Sequence, residues 1–325
     1  MRAKLYLHDD YLKYNGTDTE KEVVAKLASF VRDLGYICEN KEENGIFVSS
    51  DFYGVEIYPG KNIYDLAEKL EREEKGIFYA VFANTASFES DMNLQVIREA
   101  MKYKESETEC SSLLIFNASF PKDEEKADIL DDNQKRTLSN KPYMTFDEYC
   151  IVYGKSSWVT LRRQILGNHP GKGEDFMKQC RQYFDNLTFS EVCVQRIEPY
   201  LDEIPRKIVY YLSCLNDCFF DFRKQYPHSD MNQLLEGFSG KYLLDTAGSL
   251  QRTSVKKESY TFPFKSKSVA GVVNVCCDPH LKIQHADSNR LSDNNGKVRY
   301  RIYFCVRDVR VHPTNLLIGL IGPHI

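Results

Sequence analysis

The chain has 325 residues, 42% of them hydrophobic and 13% aromatic, with a formal net charge of −4. That length exceeds what one core usually organises, and that apolar content excludes a generally disordered chain. No apolar run approaches the ~20 residues that span a bilayer, and the opening Met1-Arg2-Ala3-Lys4-Leu5-Tyr6-Leu7-His8 lacks the apolar stretch and cleavage site of a signal peptide. A cytoplasmic, multidomain protein that makes no membrane contact is expected.

Residues 1–120 read as an α/β domain, with strands expected at 4–7, 45–49, 55–58, 76–82 and 112–116. Between the first two, Val23, Val24, Leu27, Phe30, Val31 and Leu34 recur at helical spacing. Thr19 and Glu22 ahead of them match a capping box, so a helix is expected over 19–34. Further helices are expected over 62–72 and 92–103. Strands alternating with helices favour stacked α/β layers over a sandwich. Residues 121–137 are charged, have no broad apolar face and read as a linker.

Residues 138–228 read as a helical domain. Thr145-Phe146-Asp147-Glu148 is a plausible helix start leading towards 158–166, and Gly171-Lys172-Gly173-Glu174 opens another helix over 175–184. Pro205 suits the first turn of a long helix carrying Ile208, Tyr211, Leu212, Leu215, Phe219 and Phe222 on one face. Residues 229–325 read as a basic, β-rich domain: one short helix, then strands at 268–275, 280–283, 298–306 and 316–321. Asp287-Ser288-Asn289 and Ser292-Asp293-Asn294-Asn295-Gly296 supply turns between them. The fold class expected is therefore α+β: an N-terminal α/β layer, a central helical region and a small C-terminal antiparallel sheet with helices.

Ten cysteines are scattered without a C-x₂-C pair, and Cys214 and Cys218 sit among Tyr, Leu and Phe as small core residues do. Reduced structural thiols are expected, and neither a metal nor another cofactor. Charge is split along the chain. Residues 251–325 hold 12 Lys/Arg against 5 Asp/Glu, whereas the other 250 hold 31 against 42. A basic tail on an acidic body implies either binding of a polyanion or a body that shields its own tail.

Four of the seven histidines also fall in the last 46 residues. Strand parity puts Tyr300, Ile302 and Phe304 on one face, and Arg299, Arg301, Tyr303 and Cys305 on the other. Leu281 and Ile283 are opposed in the same way to His280 and Lys282. In antiparallel order one face would be apolar, against helices, and the other exposed and cationic. Arginine and lysine can hold a scissile phosphate while histidine or tyrosine moves protons, which is the requirement for cutting RNA without a metal. The catalytic candidates are His324, Tyr303 and Arg301, and the phosphate-binding candidates are Lys282, Arg299 and His280. An exposed sheet face that is merely solvated would look the same.

Tyr300-Arg301-Ile302-Tyr303, preceded by basic residues and followed by an apolar strand, resembles the central strand of RelE/ParE-type toxins. The resemblance covers at most residues 229–325. It implies a bacterial toxin or phage-defence protein acting as an endoribonuclease on RNA, usually at the ribosome, with a protein partner or antitoxin. It further implies phosphate contacts from Lys282, Arg299 and Arg301 and proton transfer by Tyr303 or His324. The chain differs in having little room for a full pair of helices before the sheet, and ParE members share the scaffold without nuclease activity.

Two other function classes stay open. One is a non-catalytic component that binds nucleic acid or protein through the basic sheet. The other is an enzyme centred on the N-terminal α/β domain, where Asp51, Glu56 and Lys61 have the composition, though not the spacing, of a metal-dependent nuclease. Asp278, His280 and His285 are close enough in sequence for a mixed metal site, but His280 and His285 have opposite parity on one strand. Gly171-Lys172-Gly173 is too short for a phosphate loop, and Arg162-Arg163 reads as either a helix flank or a partner surface.

Overall fold

A computed structural model of the chain describes residues 3–7, 12–39, 44–83, 85–88, 113–117, 144–146, 149–248, 258–266, 271–283, 300–323 and 325. The helix expected over 92–103, the linker at 121–137, and Arg299, His285 and His324 lie outside them. The described chain is mixed α+β and divides into two compact units, with the boundary between Leu161 and Arg162.

The first unit is a six-stranded sheet with strand order β3-β2-β1-β4-β6-β5. Its strands are β1 (Ala3–Leu7), β2 (Asn44–Ser49), β3 (Ala86–Phe88), β4 (Leu113–Asn117), β5 (Met144–Phe146) and β6 (Tyr149–Tyr153). The first three run parallel, and β4, β5 and β6 continue the sheet antiparallel. Helix α1 (Glu20–Ile37) starts at the expected capping box: Thr19 accepts from the Glu22 N–H and Glu22 accepts from the Thr19 N–H. That backbone donor also holds the Glu22 carboxyl below its usual range. Leu27, Phe30, Val31 and Leu34 are buried.

Three local expectations are corrected in this unit. Residues 76–82 are helical, within α3 (Arg72–Phe82), after a short α2 (Ile63–Ala67). The run Ile77-Phe78-Tyr79 has strand composition, but Phe78, Val81 and Phe82 are the buried residues, a helical spacing that outweighs propensity. Residues 55–58 form no strand, only a tight turn in which Tyr58 bridges Lys61. Thr145-Phe146 belongs to the β5–β6 hairpin, not to a helix start, and the helix α4 (Gly154–Asn168) begins after it.

The second unit carries a five-stranded sheet of order β7-β13-β12-β11-β8 and a separate two-stranded sheet, β10-β9. The larger sheet comprises β7 (Leu187–Phe189), β8 (Thr246–Gly248), β11 (His280–Ile283), β12 (Tyr300–Cys305) and β13 (Leu316–Pro323). It is antiparallel except where β7 joins β13 in parallel, so it is mixed. The smaller sheet is a hairpin of β9 (Thr261–Lys265) and β10 (Val272–Cys276). The helices are α5 (Gly173–Tyr183), α6 (Glu191–Arg196), α7 (Glu198–Leu201), α8 (Pro205–Gln225) and α9 (Met231–Lys241). Pro205 opens α8 as expected, because a first-turn residue has no intrahelical use for its N–H.

Of the expected domain 138–228, β5 and β6 belong to the first unit, and the part beyond Leu161 shares one hydrophobic core, from Leu166 to Ile321, with the expected domain 229–325. Phe219 of α8 shows why: its ring meets Phe238 of α9 at 5.3 Å and Phe304 of β12 at 5.6 Å. A helix face this apolar has to be covered, and the sheet covers it.

The opposite face of the sheet is covered in part by the β9–β10 hairpin. Tyr260, Phe262, Phe264, Val275 and Cys277 pack there against Tyr303, Leu317 and Leu320. This arrangement needs a bulge. Tyr303 pairs with Leu320 but Phe304 pairs with Ile318, leaving Gly319 as the extra residue. Before the bulge Leu316 and Ile318 face the helices, and after it Ile321 does. A Cβ on Gly319 would stand 2.4 Å from the Phe262 ring and 2.8 Å from Cys277 Sγ. Gly319→Ala is therefore expected to destabilise the fold by about 1–3 kcal/mol in urea unfolding.

Leu243, between α9 and β8, has φ 53°, a left-handed conformation that L-residues enter only at a cost. Leu244 N–H donates to Ser239 O and Tyr242 N–H to Phe238 O, closing the helix end in a form that favours glycine at position 243. Leu243→Gly is expected to raise stability by about 1 kcal/mol in the same measurement, because Leu243 is 57% exposed and loses little packing.

Candidate cationic site on the C-terminal sheet

β11 and β12 pair with His280 opposite Tyr303, Leu281 opposite Ile302, Lys282 opposite Arg301 and Ile283 opposite Tyr300. Alternation sends Leu281, Ile283, Tyr300, Ile302 and Phe304 into the helix-side core. His280, Lys282, Arg301 and Tyr303 share the other face, so four of the six candidates come together on neighbouring strands. The remaining two, Arg299 and His324, fall outside the described residues.

This face is not the open cationic surface expected from strand parity. Tyr303 is fully buried and His280 is 3% exposed. The Tyr303 ring lies 5.2 Å from His280, 5.5 Å from Tyr260 and 6.5 Å from Phe262. Its hydroxyl accepts from Arg301 Nη1 and from the Ile325 N–H, both at 3.4 Å, and Nδ1 of His280 lies 3.3 Å from the Asp278 carbonyl. The physical reason is the hairpin, whose Phe262 and Phe264 need an apolar floor. The alternating Thr261-Phe262-Pro263-Phe264-Lys265 carries the signal for that strand, but nothing in it shows where the strand packs.

Lys282 and Arg301 are only partly buried. They sit directly opposite each other across the ladder, and among the described residues neither has a carboxylate partner. Arg301 keeps the long contact to Tyr303, while its Nε is buried without a hydrogen bond. Like charges directly opposite on a sheet destabilise it, and an unsatisfied buried donor costs about 1–3 kcal/mol. An anion that accepts from both side chains would relieve the like-charge contact.

The other chemical candidates resolve into structure. Arg163 makes two hydrogen bonds to Asp217, at 2.5 and 3.2 Å, donates from Nε to the Tyr183 carbonyl, and lies over the Phe184 ring. Arg162 is fully buried and donates to Gln179. Gly171 has φ 66°, and a Cβ on Gly173 would stand 2.9 Å from Glu198 Cβ, so these glycines serve a turn and a close helix contact. Lys61 pairs with Glu20 of α1 at 2.8 Å. Among the described residues no three His, Cys, Asp or Glu side chains are placed to hold a metal ion, and no helix is long and apolar enough to cross a membrane.

Comparison of the chain with protein-family models, curated proteins and solved structures found no match.

Cys38, Cys180, Cys193, Cys214, Cys218, Cys276, Cys277 and Cys305 are free thiols. Burial pushes Cys193 up to about 12 and raises Cys180, Cys214 and Cys277 well above the usual thiol range. Thiolate, the reactive form, is therefore suppressed at these positions. Site-mapped alkylation at mild alkaline pH is expected to modify the exposed Cys276 in the native protein, and Cys180, Cys193, Cys214 and Cys277 only after denaturation.

Proposed function

We propose that the C-terminal sheet binds the phosphodiester backbone of RNA through Lys282 and Arg301, and that the chain is a nucleic-acid-binding component of a toxin or defence system. One observation carries this reading: two cations face each other on adjacent strands with no described carboxylate between them. A phosphate group accepts from both at once, and arginine and lysine are the residues that hold it. The excess of Lys/Arg over Asp/Glu in residues 251–325 supports a polyanion over a small anion.

A second reading, metal-independent RNA cleavage of the RelE kind, draws support from the contact between Arg301 and the Tyr303 hydroxyl and from His280 beside that ring. Burial of Tyr303 and His280 favours binding over catalysis, since a group that moves a substrate proton must reach it.

Fluorescence anisotropy with a labelled single-stranded RNA tests both. Arg301→Ala and Lys282→Ala are each expected to weaken binding about tenfold or more, the strength of one charge-assisted contact. The slope of log affinity against log salt should fall by about 0.7 per lost phosphate contact. Wild-type affinity indistinguishable from that of both variants would end the proposal. Electrophoresis of the same RNA after incubation separates the readings: intact RNA supports binding alone, and fragments lost in Arg301→Ala and Tyr303→Phe support cleavage.

A further inference from the structure

Lys282 and Arg301 lie on β11 and β12, the inner strands of the five-stranded sheet, with β8 beyond one and β13 beyond the other. On their face the next row along the strands is the register pair His280 and Tyr303. That row is closed. His280 is almost wholly buried, and Tyr303 is packed against Tyr260 and Phe262. Ile325 bridges the layers there: its N–H donates to the Tyr303 hydroxyl, and its carbonyl accepts from the Tyr260 hydroxyl at 3.3 Å. A nucleic-acid strand laid along β11 and β12 over the cationic pair would run into this cover, so it cannot continue past the pair in that direction.

Charge then selects among the phosphates that RNA offers. Lys282 and Arg301 are both cations, stand directly opposite each other and meet no carboxylate among the described residues. A diester within an RNA strand has a single negative charge, and chain continues from it on both sides. A monoester at the end of a strand carries about −1.5 to −2 at neutral pH, has three acceptor oxygens, and has chain on one side only. The monoester comes close to neutralising both cations, where a diester leaves one unmet. Its single chain can also leave on the side away from the cover. Arginine supplies a planar fork for two of its oxygens and lysine a point charge for the third.

We propose that the Lys282–Arg301 pair holds the terminal phosphate of an RNA strand. The proposal rests on the RNA-binding reading and narrows it from any backbone phosphate to the one at the end of the strand. The nucleotides behind that phosphate leave the pair away from the His280–Tyr303 row. The protein is then a reader of phosphorylated RNA ends, such as those that a nuclease leaves behind.

Fluorescence anisotropy of the full chain tests this with one internally labelled single-stranded RNA prepared in three forms: hydroxyls at both ends, a 5′-phosphate, or a 3′-phosphate. A phosphate at one end is expected to tighten binding about tenfold over the all-hydroxyl strand, the strength of one added charge-assisted contact. The two phosphorylated strands report which end is read. Lys282→Gln and Arg301→Gln, with the circular dichroism of wild type, are each expected to abolish that gain. Equal wild-type binding of all three strands, with Arg301→Gln weakening them alike, would overturn the proposal and leave the RNA-binding reading standing. No binding of any strand would remove both. A gain that survives in both folded variants would put the end contact elsewhere and also overturn the proposal. If one variant fails to fold, the other decides.

Discussion

The pleat of β12 is the constraint on which the second unit depends. Tyr300, Ile302 and Phe304 enter the core that α8 and α9 share, where Phe219 meets both Phe238 and Phe304. Their alternates then have to stand on the far side of the sheet. Tyr303 is absorbed there by the β9–β10 hairpin, together with Leu317 and Leu320, while Arg301 is left partly buried beside Lys282. The cationic pair is thus a by-product of strand geometry in its position, and a matter of chemistry only in its residue types.

The bulge at Gly319 lets one strand serve two cores. Without an extra residue, Leu320 would continue the helix-facing set of Leu316 and Ile318, and the hairpin would lose part of its floor. Glycine is required because the Phe262 ring and Cys277 close over that position. Ser190 adds a polar clamp. Its hydroxyl donates to the Gly319 carbonyl at 2.5 Å and accepts from the Cys193 N–H, so one buried side chain caps α6 and fixes the bulge. Buried polar groups are tolerated when they are satisfied in this way. Arg301 Nε, on the same sheet, is not.

Burial also divides the candidate chemistry. Arg162 and Arg163 were candidates for a partner surface, and packing assigns them to structure; the buried thiols are core residues, as expected. The guanidinium of Arg163 spends its donors on Asp217 and the Tyr183 carbonyl, and the thiols are held neutral by desolvation. Lys282 and Arg301 differ in meeting no carboxylate among the described residues.

The sequence by itself determined the features that depend on near neighbours. The Thr19/Glu22 capping box, Pro205 at the start of α8, the buried face from Ile208 to Phe222 and the parity of β11 and β12 were all legible, because each is a repeat or a cap within a few residues. Only tertiary structure decided the rest. Residues 76–82 have strand composition, yet they are helical because Phe78, Val81 and Phe82 are buried on one face. Tyr303 had the pattern of a solvated face, yet it is covered by Tyr260, Phe262, Phe264, Val275 and Cys277, whose packing partner no local spacing encodes. Burial on a sheet depends on which distant segment lands there, and a period-two pattern fixes only which side is offered.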